Sequence, residues 1–123
     1  MSFNHVVIWL DQSEAHVIHF TADAAESEVI KTGAIHKKAG ADISIKEEEN
    51  IPYMSEIAAS VKEAHAILVV GPGQEKLSFM RYLNKHEALI ADKVVSVETV
   101  DHPNDGQLLA YARKYFVKDS SMA

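Results

Sequence analysis

The sequence predicts a mixed α/β domain in which a five-stranded sheet carries helices on its faces. Three observations lead to this prediction: strand-like segments open the chain, later strand-like segments alternate with amphipathic helical patterns, and no linker or internal repeat divides the chain. A length of 123 residues suffices to bury one hydrophobic core. We expect residues 1–118 to form a single domain and residues 119–123 to fray.

The N-terminal part predicts three strands. Residues 5–10 are rich in Val and Ile and include Trp9, and a polar turn at residues 11–14 separates them from a second strand at residues 15–20. So short a connection makes the two strands an antiparallel hairpin. Residues 28–32 form a weaker third strand that is polar enough to lie at a sheet edge.

A long connection is predicted next. No helical period is sustained over residues 33–50, which end in the acidic run at 47–49. Connections of this length in a compact domain are usually functional or mobile. Residues 43–45 could still pair as a short strand.

The rest of the chain alternates helices and strands. After Pro52 the sequence predicts a helix at 53–64 and then a strand at 66–70 that is buried on both faces. A second helix follows at 74–89, with Leu77, Met80 and Leu83 on the stripe that faces the core. A second buried strand at 94–97 precedes a last helix capped by Asn104 or Asp105. Strands that alternate with helices are parallel. Together with the hairpin they predict a mixed sheet on a ribonuclease-H-like plan.

Composition excludes several classes of function. The chain has no cysteine, so disulfides, thiolate metal sites and cysteine nucleophiles are excluded. The net charge of -6 opposes a broad electrostatic hold on nucleic acid, so any RNA contact must be local. No signal sequence and no apolar run near the ~20 residues of a membrane helix is present. We therefore expect a cytoplasmic protein without a membrane partner.

One segment resembles a known family. The apolar strand at 66–70 runs into Gly71-Pro72-Gly73 and is followed by Lys76 and Phe79. This pattern resembles the central domain of the eukaryotic and archaeal peptide release factor and Pelota family. The resemblance extends in order to the opening hairpin and, more weakly, to the last strand and helix. It implies a release-factor middle-domain fold and a translation-associated module that contacts the ribosome or tRNA.

The sequence departs from the family at one functional motif. In the release factors, a Gly-Gly-Gln tripeptide before the first helix helps water to cleave peptidyl-tRNA, whereas residues 36–42 here contain no such tripeptide. The triplet Asp105-Gly106-Gln107 opens a predicted helix and is not its equivalent. The chain is also too short to hold the codon-reading domain. The resemblance therefore implies a non-hydrolytic module with no catalytic residue, cofactor or metal, although enzymatic activity at another site is left open.

The long connection contains the predicted RNA contact. Lys37 and Lys38 lie beside Gly40, and lysines on a flexible loop can reach phosphates with little steric demand. The alternative is a solvated loop without a partner. The acidic residues 47–49 would repel the same phosphates unless the loop folds them away.

A ligand crevice is the second candidate site. Open α/β sheets bind ligands at the carboxyl ends of their strands, and a helix that begins there offers free N–H groups to an anion. The candidate residues are Gly71, Gly73, Gln74, Lys76, His102 and Asp105. They predict, as an alternative function, a binding protein or enzyme for a phosphorylated small molecule. The structural alternative is a tight turn and a capped helix.

Two further features carry weaker predictions. The polar third strand could pair between chains, which makes an adaptor that forms a homodimer through this sheet edge a further alternative. His16 and His19 are three apart in a strand, so they point to opposite faces and do not share a metal. Asp11 and Glu14 are too few for a nuclease that binds Mg²⁺ with converging carboxylates.

Overall fold

The computed structural model describes residues 4–32 and 47–118, and for residues 47–50 and 118 it describes the backbone only. The strands are β1 (His5–Leu10), β2 (Glu14–Phe20), β3 (Ala25–Lys31), β4 (Ala66–Gly71) and β5 (Val94–Thr99). The helices are α1 (Glu47–Ser60), α2 (Glu75–His86), α3 (Ala88–Ala91) and α4 (Asp105–Lys118).

The five strands form one mixed sheet in the order β3-β2-β1-β4-β5. The pairs β1–β2 and β2–β3 are antiparallel, whereas β1–β4 and β4–β5 are parallel. In the middle of the sheet, Ile8 of β1 lies opposite Val17 of β2 on one side and Val69 of β4 on the other. The predicted five-stranded mixed sheet is confirmed, and β3 lies at an edge. The homodimer through that edge stays a prediction.

The sheet has a hydrophobic layer on each face. Alternate residues of β1 face opposite sides, so Ile8 packs towards α1 and α2 while Val7 packs towards α4. The first layer is completed by buried residues of the helices, among them Ile57, Val61, Phe79 and Leu83. The second is completed by Leu108, Ala112 and Phe116 of α4. Helices therefore cover both faces, as the sequence predicts.

Helix α1 starts earlier than predicted. It begins at Glu47 and ends at Ser60, whereas the sequence suggested residues 53–64. Pro52 lies inside the helix, which passes through it with one backbone hydrogen bond fewer because proline has no N–H. Residues 61–64 form a turn instead, in which the N–H of Ala64 donates to the Val61 carbonyl oxygen at 3.1 Å.

The second predicted helix is divided in two. At Glu87 the backbone leaves helical geometry (φ -140°, ψ 60°), so α2 ends at His86 and α3 follows. Leu77 is 42% exposed and is not part of the inward stripe, whereas Phe79 is fully buried. The two residues are separated by roughly 200° around the helix axis, so they cannot share a face.

The sheet edges also differ from the prediction. Strand β3 begins at Ala25, earlier than the predicted residue 28. Strand β5 was predicted to be covered on both faces, but it is the second edge strand, and Val95 is 40% exposed. The predicted short strand at 43–45 lies outside the described residues.

The carboxyl ends of β1, β4 and β5 lie together, and we name this side of the sheet the carboxyl edge. The start of β2 lies there as well, because β2 is antiparallel to β1. The N–H of Thr32 donates to the Ser13 carbonyl oxygen at 2.9 Å, and the Tyr53 hydroxyl donates to the Asp11 carbonyl oxygen at 2.9 Å. The chain thus leaves β3 beside the carboxyl edge, and α1 passes the same edge at Tyr53.

No helix within residues 47–118 is both long and apolar enough to span a bilayer.

Candidate functional site

The strand connections of the sheet diverge between β4 and β5 at the carboxyl edge. Helix α2 follows β4 onto one face of the sheet, and α4 follows β5 onto the other face. Two adjacent parallel strands whose connections diverge in this way mark the usual binding position of an open α/β sheet. The N–H of Val100 donates to the Gly71 carbonyl oxygen at 3.0 Å, so the two connections are bonded to each other.

The two glycines of the Gly71-Pro72-Gly73 turn have different roles. A Cβ atom on Gly71 would lie 2.5 Å from the backbone oxygen of Leu10, a distance that real Cβ atoms do not adopt. A Cβ atom on Gly73 would have no neighbour within 4 Å. The close approach of β1 and β4 therefore requires glycine at position 71, whereas space does not require it at position 73.

Lys76 serves the turn itself. Its side chain is 7% exposed, and its ammonium group donates a hydrogen bond to the Gly73 carbonyl oxygen at 2.6 Å. Gln74 is exposed, adopts helical backbone angles and makes no side-chain capping bond. Lys76 thus fastens the turn to the first residues of α2 with one of the three N–H donors of its ammonium group.

His16 of β2 lies between two carboxylates, one on its own strand and one on α4. Its Nε2 lies 2.7 Å from Glu14 Oε2, and its Nδ1 lies 3.0 Å from Asp105 Oδ1. Burial lowers the pKa of His16, but the hydrogen bonds to Glu14 and Asp105 and the charges of both carboxylates outweigh it, so the pKa lies above its ordinary value. The imidazole is 22% exposed.

Trp9 fills the space between His16 and the segment that follows β5. Its Nε1 donates to the Asp101 carbonyl oxygen at 2.6 Å and to the Val100 carbonyl oxygen at 3.3 Å. Its ring lies 4.4 Å from the ring of His102 and 5.6 Å from that of His16, measured between centroids. The sequence identified Trp9 only as a strand residue, so its contacts with residues 100–102 were not predicted.

Helix α4 begins with a reciprocal cap. Asn104 Oδ1 accepts a hydrogen bond from the Gln107 N–H at 2.8 Å, and Gln107 Oε1 accepts one from the Asn104 N–H at 3.1 Å. This pattern is a capping box. Of the two predicted caps, Asn104 therefore carries the role, and the carboxylate of Asp105 is left to bind His16.

Asp11 and Asp101 add further carboxylates to the edge that holds Glu14 and Asp105. Asp11 Oδ1 accepts from the N–H groups of Ser13 and Glu14 at 2.8 and 2.9 Å and so closes the β1–β2 turn. Carboxylates repel a phosphate, so the geometry does not favour the phosphorylated-ligand alternative. Among residues 4–32 and 47–118, no group of three His, Asp or Glu side chains could hold a metal ion.

The remaining candidate residues lie apart from this cluster. His19 lies on the other face of β2 from His16, with Nε2 3.8 Å from Glu28 Oε2. Lys37, Lys38 and Gly40 lie outside the described residues. The chain segment that contains them leaves from Thr32 beside the carboxyl edge.

Comparison with known proteins shows the fold. No family model and no curated protein sequence matches this chain. Archaeoglobus fulgidus Pelota matches with a TM-score of 0.67 and 14% identity over 94% of this chain and 32% of its own. The archaeal translation termination factor aRF1 matches with a TM-score of 0.61 and 15% identity over 88% of this chain and 32% of its own.

A yeast protein has the same fold. Saccharomyces cerevisiae Dom34, a translation termination-like factor involved in RNA quality control pathways and interacting with Hbs1, matches with a TM-score of 0.53 and 13% identity over 95% of this chain and 39% of its own. The chain thus spans about a third of the length of these structures, 32% in the Pelota case. Identities this low establish the fold alone. Over 88 to 95% of its length, the chain has the fold of the matched parts of these release-factor and Pelota structures.

Proposed function

We propose that this chain is a translation-associated module that binds the ribosome or tRNA without hydrolysing peptidyl-tRNA. The observation that carries the proposal is the structural match to Pelota over 94% of the chain at a TM-score of 0.67. Two other matched structures are, by their descriptions, a translation termination factor and a termination-like factor. A shared fold alone does not define an activity, so the proposal also rests on the residues discussed next.

The RNA contact is assigned to Lys37 and Lys38 beside Gly40. The net charge of -6 and the carboxylates of the carboxyl edge oppose a broad contact with phosphate. A pair of lysines in the segment between Thr32 and α1 would supply a local one. Thr32, which precedes that segment, is fixed beside the carboxyl edge by its backbone bond, and Tyr53, in the second turn of α1, is fixed there by its hydroxyl bond.

The non-hydrolytic assignment rests on the Gly-Gln steps of the sequence. No Gly-Gly-Gln tripeptide is present, and the two Gly-Gln steps are at Gly73-Gln74 and Gly106-Gln107. Gln107 is engaged in capping α4. Gln74 immediately precedes α2 at the turn that Lys76 fastens. Neither step is in the segment that corresponds to the hydrolytic loop.

Co-sedimentation with purified ribosomes at increasing salt tests this function. We expect the chain to pellet with ribosomes at low salt and to dissociate as salt rises, because phosphate contacts release counterions. Replacement of Lys37 and Lys38 by Glu should abolish pelleting and, where residual binding is measurable, lower the salt slope by roughly one for each lysine.

The matched control reverses two exposed lysines elsewhere. Lys85 in α2 and Lys114 in α4 are both exposed, and their replacement by Glu changes the net charge by the same amount. We expect this control to pellet like the unmodified chain. A chain that stays in the supernatant at low salt contradicts the function, and equal losses in both double variants contradict the assigned contact.

A further inference from the structure

The two hydrogen bonds of His16 require a particular protonation state. The carboxylate oxygens of Glu14 and Asp105 lie 2.7 and 3.0 Å from the two ring nitrogens, and ionised carboxylates only accept hydrogen bonds. A neutral imidazole has one N–H donor and one lone pair. The imidazolium alone can therefore donate to both partners, and the neutral ring leaves a lone pair facing a carboxylate.

We propose that His16 is a pH-sensitive latch that fastens the first turn of α4 to β2 when its ring is protonated and releases that turn when the ring is neutral. The bond to Asp105 joins elements 89 residues apart in the chain. No other side-chain bond between β2 and the first turn of α4 is seen in the described part of the chain. Loss of this bond therefore removes the side-chain hydrogen bond that attaches the start of α4 to β2.

The surroundings of His16 favour the protonated latch. The charged groups that act on it are Glu14 on its own strand and Asp105 from α4. Its cross-strand neighbours, Trp9 of β1 and Val29 of β3, carry no charge. His102 is a second titratable ring, but it lies against Trp9 rather than against the carboxylates. The raised pKa of His16 agrees with this arrangement.

The Asp105 bond is the one that should open. At 3.0 Å it is longer than the 2.7 Å bond to Glu14, and Asp105 is 45% exposed whereas Glu14 is 28% exposed. Glu14 belongs to the same strand as His16 and stays beside it. The buried side chain of Leu108 ends the first turn, and with Ala112 and Phe116 it holds the rest of α4 on the sheet. Release is thus confined to the first turn of α4.

Amide hydrogen exchange measured by NMR tests the latch. The N–H groups of Gln107 and Leu108 donate to Asn104 Oδ1 and to the Asn104 carbonyl oxygen, so they report on the first turn. After correction for intrinsic exchange, we expect their protection to fall roughly threefold between about pH 5.5 and about pH 8.5, the size that a partly exposed charged pair gives. The amide of Ala112 should not change. Equal protection of the first turn at both pH values overturns the proposal.

Two variants separate the latch from other titrations. His16→Gln cannot become charged, so the first turn should show low protection at both pH values. Asp105→Asn keeps the helix start and the Asn104 cap but removes the charge, and it should also abolish the pH dependence. Persistence of the full pH dependence in either folded variant contradicts the assignment to this pair.

Trp9 gives a second measurement on the unmodified chain. It is the sole tryptophan, and a protonated imidazole in contact with an indole quenches its fluorescence. We expect the emission to rise with pH with a midpoint above the pKa of an unperturbed histidine side chain, and His102→Gln should preserve this step. A step that disappears in His102→Gln, or a midpoint at or below the pKa of an unperturbed histidine side chain, contradicts protonation of His16 as the trigger.

Discussion

The indole N–H of Trp9 donates to the carbonyl oxygen of Asp101 over 2.6 Å, and this bond ties the end of β1 to the segment between β5 and α4. The backbone bond from Val100 to Gly71 ties the same segment to the end of β4. The carboxyl ends of the three parallel strands are therefore interlocked. The stability of this junction can be measured independently of any partner.

Replacement of Trp9 by Phe should destabilise the fold by about 2 to 4 kcal/mol. The change removes the bond to the Asp101 carbonyl oxygen and leaves a cavity at a side chain that is 2% exposed. Tyr53→Phe, which removes one hydroxyl bond to Asp11 and little volume, should cost about 1 kcal/mol. Urea denaturation followed by far-ultraviolet circular dichroism measures both. If Trp9→Phe lowers the free energy of unfolding no more than Tyr53→Phe does, Trp9 does not hold these strand ends together.

The two glycines of the turn should respond differently to alanine. Gly71→Ala places a Cβ atom against the Leu10 backbone oxygen, and we expect a loss of about 2 kcal/mol or more. Gly73→Ala meets no atom within 4 Å and should change stability by less than about 1 kcal/mol. The midpoints of urea denaturation give the comparison. Equal losses would mean that the turn as a whole, rather than the β1–β4 approach, demands glycine.

The capping box of α4 should be worth about 1 kcal/mol. Asn104→Ala removes the side-chain oxygen that accepts the Gln107 N–H. Asn84→Ala is the matched control, because the Asn84 side chain bonds the Met80 carbonyl oxygen on an exposed face of α2 and alanine favours helix there. We expect the control to be neutral or slightly stabilising in thermal unfolding. Similar losses in both variants would argue against a specific cap.

His16 should make the free energy of unfolding depend on pH. Its pKa is higher in the folded chain than in the unfolded chain, so its contribution is complete below the unfolded pKa and disappears as pH rises through the folded pKa. Because its partners are partly exposed, we expect a contribution below about 1 kcal/mol. Urea denaturation of the unmodified chain and of His16→Gln should therefore differ most at acidic pH. A difference that grows with pH has the opposite sign and contradicts the assignment.

Local patterns predicted much of the fold. Richness in Val and Ile located β1, the polar turn at residues 11–14 located the start of β2, and the apolar run into Gly71-Pro72-Gly73 located β4 and its exit. The α1 start was missed because Pro52 usually marks the beginning of a helix, whereas here the helix passes through it. β5 was predicted to be a buried strand but is an edge strand, because an apolar run does not distinguish the two.

The candidate site was less predictable because its bonds connect distant residues. His16 and Asp105 are separated by 89 residues, and Trp9 and Asp101 by 92. One local signal was available: the spacing of Asn104 and Gln107 fits a capping box, which would have left Asp105 free for another partner. The bond from Lys76 to the carbonyl oxygen three residues earlier was likewise not predictable, because the sequence does not show which acceptor a lysine side chain reaches.

The proposed function requires the segment between β3 and α1 to contact the RNA of the translation machinery. A photo-activated cross-linker is placed at Lys38 and, as a control, at Glu63. Glu63 is exposed and lies just before β4 begins, at the end of that strand opposite the carboxyl edge. Irradiation of each protein with ribosomes and tRNA should attach RNA at position 38 and not at position 63. Cross-links of equal yield from both positions, or none from position 38, would contradict the account.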